Sequence, residues 1–124
     1  MQLTATECEH LRSALADWPL ALRSLEAIED CDGDVEDAAI DLALKSGLEP
    51  DTCDRWLEGL AKRFRPLLCD HTRRTELVSA PLPALLELLT EGSDCPPLLT
   101  LPVALLVREQ GLEGFCRSFD ERIA

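Results

Sequence analysis

Residues 100–110, TLPVALLVREQ, are apolar on nearly every side of a helix. Such a helix has no polar stripe to turn toward water, so other elements must enclose it. Thr100 is placed to cap its start and Gly111 to end it. The surrounding run PPLLTLPVALLV is too short and too broken by prolines to span a bilayer. The expected solution is a central buried helix with a shell of amphipathic helices.

The rest of the chain suits that shell. At 124 residues it is long enough for one domain with one core. The hydrophobic fraction of 46% argues against disorder. The apolar residues are mostly Leu and Ala, with few β-branched residues and no Tyr, a mixture that favours helix over strand. No segment alternates with period two, and no internal repeat or linker divides the chain. The expected fold is all-α, a compact single-domain bundle of about seven short helices over residues 1–124.

Thr4 with Glu7, or Thr6 with Glu9, has capping-box spacing for a first helix. Cys8, Leu11, Leu15 and Trp18 follow at three- and four-residue steps on one face. Pro19 opens a second helix, with Leu22, Leu25 and Ile28 inward. A fourth helix is expected from near Asp51, with Cys53, Trp56, Leu57, Leu60 and Phe64 on one face. Pro66 kinks it or begins a new segment through Leu67 and Leu68, reaching toward Leu77. LPALLELLTEG forms a helix ending near Gly92. Leu112, Phe115, Cys116, Phe119 and Ile123 line a final amphipathic helix.

The acidic stretch EDCDGDVED, residues 29–37, lies between the second and third helices. As a calcium-binding EF-hand loop starting at Asp30 it fails. Position six requires Gly and is Val35, position eight requires an apolar residue and is Asp37, and position twelve requires Glu and is Asp41. It reads better as a helix junction. Asp34 caps the third helix, Glu36 and Asp37 oppose its positive end, and Gly33 allows the turn. Val35, Ala38, Ala39 and Leu42 face inward, Gly47 ends the helix and Pro50 prevents its continuation.

Other chemistry is sparse. Cys8 with His10 and Cys69 with His71 repeat a Cys-x-His spacing. Residues two apart on a helix point to nearly opposite sides, so neither pair suits one zinc ion. There is no C-x-x-C, no phosphate-binding glycine loop and no nucleophile elbow. No catalytic residue, cofactor or metal is expected. The N-terminus carries no basic-then-apolar leader, which points to a cytoplasmic protein whose six cysteines are reduced thiols. A small enzyme or redox-responsive protein using one exposed cysteine is the alternative.

Charge is the strongest functional cue. The formal net charge of −12 opposes nucleic acid and anionic membranes at long range. Residues 26–54 carry eleven acids and one cation. Residues 62–74, KRFRPLLCDHTRR, reverse the sign with Lys62, Arg63, Arg65, Arg73 and Arg74 against Asp70. With an apolar patch near Trp56 and Phe64, this segment is the candidate interaction surface for an acidic protein partner. The same cations have two other uses open to them: pairing with the acidic stretch, within the fold or between copies of the chain, or forming a solvated face.

GDVEDAAIDLAL resembles the third helix of ubiquitin-associated domains, through Gly33, Asp34, Val35, Ala38 and Leu42. The likeness covers at most residues 11–44. Where that family carries Met-Gly-Phe or Met-Gly-Tyr in its binding loop, this chain has Ala16, Asp17, Trp18 and Pro19. Through IEDCDGDVEDAA, WLEGLAKRFRPLLC, LPVALLV and GLEGFC, most of the chain also resembles small all-helical cyanobacterial proteins of unknown function. That resemblance implies the fold class and brings no activity.

Overall fold

A computed structural model describes residues 1–50 and 55–123, with the side chains of residues 122 and 123 left aside. The expected helix start near Asp51, the placement of Cys53 and the burial of Ile123 lie outside the described residues. The fold is all-α. Among the described residues it comprises α1 (Ala5–Ala14), α2 (Pro19–Asp30), α3 (Val35–Lys45), α4 (Trp56–Lys62), α5 (Arg65–Leu68), α6 (His71–Val78), α7 (Leu82–Gly92), α8 (Thr100–Gln110) and α9 (Leu112–Ile123). A 3₁₀ turn, Pro97–Leu99, leads into α8. No described helix is long and apolar enough to cross a membrane.

The apolar helix takes the central place its composition requires. Every residue of α8 from Thr100 to Val107 is buried, and α2, α3, α4, α7 and α9 all pack on it. Gly111 follows the helix with φ +79. Thr100 does not cap it. The cap position is Leu99, and Thr100 Oγ1 instead donates to Pro97 O at 2.9 Å, closing the 3₁₀ turn. Ser24, wholly buried on α2, donates to Leu98 O at 2.7 Å and fastens the turn to the bundle.

Two further helices exceed the expected number because local capping wins over continuity. Asp70 accepts from Thr72 N at 2.9 Å and starts α6, while Pro66 sits in the first turn of the single-turn α5. The first helix is also shorter than its apolar spacing suggests. It ends with Leu15 as C-cap, and Trp18 belongs to the start of α2. Thr4 and Glu7 form its capping box.

The acidic junction is helix punctuation on both sides. α2 ends in a Schellman motif, with Gly33 N donating to Ile28 O at 2.8 Å and Asp32 N to Glu29 O at 3.0 Å. The left-handed position is Asp32 itself, at φ +56. A short polar side chain tolerates that region better than most. Asp34 then accepts from Asp37 N at 3.1 Å and caps α3. Between them, Gly33 lies against the N-terminal segment. Leu3 N donates to Gly33 O at 2.9 Å and Val35 N to Met1 O at 3.1 Å. The Met1 amine pairs with Glu36 at 2.8 Å.

Gly33 meets two requirements at once. Its φ is +86, and a Cβ there would lie 2.3 Å from Leu3 O, a backbone atom. Gly47 also has positive φ, but a Cβ there would meet open space. Gly33→Ala is therefore expected to lower stability by at least about 2 kcal/mol, and Gly47→Ala by about 1 kcal/mol. Urea denaturation of both variants checks this. Equal losses would show that the approach of Leu3 does not constrain the junction.

Candidate interaction surface

The seven residues of the expected surface separate into two groups, because α4 ends at Lys62 and the chain turns through α5 into α6. Trp56, Lys62 and Arg63 stay with α4. Leu57, Leu60 and Ala61 are the buried residues of this helix, which leaves Trp56 half-buried at the edge of the core and Lys62 and Arg63 exposed. Phe64 does not belong to an exposed patch. It is only 4% exposed and is part of the core. It is the last inward position of the i, i+3, i+4 pattern that Leu57 and Leu60 begin, and that periodicity is the signal for its burial.

Beside Trp56 lies an open groove of about 480 Å³, lined by Leu48, Glu49, Arg55, Trp56, Gly59, Leu60 and Arg63. Leu48 reaches it through the end of α3. Gly47 N donates to Leu44 O at 3.1 Å and Leu48 N to Ala43 O at 2.9 Å, a second Schellman motif that turns Leu48 inward. Sequence reasoning did not assign Leu48 to the surface, although an apolar residue directly after a C′ glycine is a recognisable mark of that motif. Arg55 and Lys62 both approach Glu58, at 3.4 and 4.0 Å. Arg63 meets Asp94 at 3.7 Å, with the two side chains 61% and 82% exposed, so water screens that pair heavily.

Arg65 and Arg74 reach α9 instead. Arg65 Nε donates to Phe115 O at 2.9 Å, and its guanidinium carbon lies 5.0 Å from the centre of the Phe115 ring. Arg74 makes a two-pronged pair with Asp120, at 2.8 and 2.9 Å, and also donates to Cys69 O. Arg73 makes a looser contact with Asp70 at 3.8 Å. The basic segment thus does meet acids inside the fold. Among the described residues its ion-pair partners are Glu58, Asp70, Asp94 and Asp120, and none of the described acids of residues 26–50 is among them.

The cysteines depart from the expected reduced set. Cys69, which caps the C-terminus of α5, forms a disulfide with Cys116 on α9, with Cα atoms 5.7 Å apart and both residues fully buried. The two sequence positions gave no hint of pairing, since 47 residues separate them. Cys8 and Cys95 are buried free thiols and Cys31 is half-buried. Burial pushes all three thiols up, Cys95 to about 12, so none of them holds a ready thiolate at neutral pH. Among the described residues no group of three His, Cys, Asp or Glu side chains is placed to hold a metal ion.

A larger cavity, of about 630 Å³, opens between α1, α7 and α8. Leu3, Leu11, Leu82 and Leu105 contribute to its walls. Its lining mixes His10 and Arg108 with Glu7 and Glu109, so neither sign of charge prevails. No protein-family model, curated protein or solved structure matches the chain.

The Arg74 pair has a pH signature. Its hydrogen bonds to Asp120 hold that carboxyl below the ordinary aspartate range. A carboxylate depressed in this way stabilises the fold fully above its unfolded value of about 3.9 and loses that contribution as pH falls through the lower folded value. An NMR titration of the Asp120 carboxyl carbon is expected to give a midpoint below about 3.9 that returns to that value in Arg74→Ala. The same midpoint in both proteins would mean that the pair does not persist in solution.

Proposed function

We propose that this protein is a non-enzymatic, cytoplasmic interaction module whose groove beside Trp56 takes an acidic segment of a protein partner carrying an apolar anchor. The observation that carries this reading is the meeting of Trp56, Leu48 and Leu60 with Arg63 on the groove wall. Trp and Arg are the residue types that most often dominate protein interfaces, the first through buried area and the second through planar pairing with carboxylates. Among the described residues, the ion pair that Arg63 makes is the screened contact with Asp94, and a partner carboxylate exchanges with that contact at little cost. Lys62 stands next to it, also exposed. In a chain of net charge −12, a local cationic edge steers an acidic segment to one place and repels it elsewhere. Phe64 and Arg74 are not part of this proposal, because one is core and the other is committed to Asp120.

A synthetic amphipathic peptide of Glu and Leu is a suitable probe, with Trp18→Phe as background so that Trp56 alone reports by fluorescence. Binding is expected to shift the Trp56 emission. It should weaken at least about tenfold in Arg63→Glu, and fall as salt rises. Arg63→Glu should leave stability within about 0.5 kcal/mol, since the side chain is exposed. Binding that is absent, or unchanged by both the substitution and salt, would remove the groove as a site.

A further inference from the structure

We propose that the Cys69–Cys116 disulfide is a redox-controlled latch that keeps the C-terminal helix α9 docked, and that a dithiol reductant releases the helix while the rest of the bundle stays folded.

The latch closes over a lightly packed end of the molecule. Among the described side chains of α9, only Phe115 and Cys116 are fully buried, while Leu112, Phe119 and Asp120 are half-buried. α6, which α9 contacts, has no fully buried residue among those described. α5 is a single turn. By contrast, α8 is buried from Thr100 to Val107. Elements with few buried contacts open locally at free energies below that of global unfolding. Of the two buried residues among those described on α9, one is itself disulfide-bonded, so the covalent link supplies much of what packing does not.

The remaining contacts act with the disulfide rather than in place of it. Arg74 grips Asp120, and Arg65 grips the Phe115 carbonyl and ring, but Arg65, Arg74 and Asp120 are partly open to solvent. Such contacts are individually weak once the helix is free to leave. The disulfide ties residues 47 apart, so its cleavage returns a long closure to the entropy of the chain. Both sulfurs are sealed from solvent, and a reductant reaches them only during an opening of α6 or α9. Access and release are therefore the same motion. Release uncovers the part of α8 on which α9 packs, and widens the cleft that Leu77, Leu85, Val107 and Leu112 line.

The chemistry balances with a small dithiol or a dithiol protein. A reductant thiolate attacks one sulfur of the pair and displaces the other as a thiolate. The second reductant thiol then resolves the mixed disulfide. Two electrons and two protons pass to the chain, which gains two thiols, and the reductant leaves as its own disulfide.

Hydrogen–deuterium exchange of the full chain, oxidised and in dithiothreitol, tests the latch. On reduction the amides of α9 should exchange at least about tenfold faster, while those of α2, α3 and α8 keep their protection, and reoxidation should restore the original pattern. Asp120→Asn should speed exchange of α9 further in the reduced protein, with a smaller effect in the oxidised one. Unchanged α9 exchange after complete reduction would overturn the proposal. So would loss of protection through the whole bundle, which would make the bond a general staple. Titration of all six cysteines as free thiols in air-oxidised protein would overturn it as well.

Discussion

A helix that is apolar all round leaves its neighbours little choice. From Thr100 to Val107, α8 gives every residue to the interior, and five other helices supply the surfaces that exclude water from it. Burial of Leu, Val and Ala side chains there is the main favourable contribution to folding, on the order of 25 cal/mol for each Å² of apolar surface removed from water. The entry to this helix is accordingly tied down by polar groups that find partners. Ser24 reaches Leu98 O from α2, and Thr100 reaches Pro97 O within its own turn. Left unpaired at such depth, either hydroxyl would oppose the burial around it.

The acidic junction between α2 and α3 follows a different logic. Its carboxylates are numerous because two helix ends and a left-handed turn fall within a few residues. Asp32 occupies the left-handed position, Asp34 caps, and Glu36 and Asp37 face the positive end of α3. The turn also carries the N-terminal segment, since Leu3 and Met1 exchange backbone hydrogen bonds with Gly33 and Val35. Gly33 is thus a packing residue as much as a turn residue.

Positive charge is divided by position rather than by chemistry. Lys62 and Arg63 lie at the exposed end of α4, near Trp56 and the groove left by the turn of Leu48. Arg65 and Arg74 lie a few residues further on, beyond the turns that redirect the chain, and are spent on the carbonyl of Phe115 and the carboxylate of Asp120. A run of like charges in sequence therefore ends in two places: one exposed cationic edge beside Trp56, and one clasp on the last helix.

Much of the fold was legible because its signals are local. The capping box of Thr4 and Glu7, the cap at Asp34, the end of α3 at Gly47 and the burial of residues 101–107 each depend on residues within a turn or two, where propensity and periodicity act directly. Of the candidate surface, Lys62 and Arg63 are exposed and Trp56 is half-buried, whereas Phe64, just past the end of α4, continues the inward period of Leu57 and Leu60 into the core. Tertiary structure alone decided the rest. It set Cys116 against Cys69, Asp120 against Arg74, and Leu3 against Gly33, across separations of 47, 46 and 30 residues. Each of those meetings depends on how whole helices are directed around α8. No local pattern encodes that direction, because it arises only when all the apolar faces are buried together.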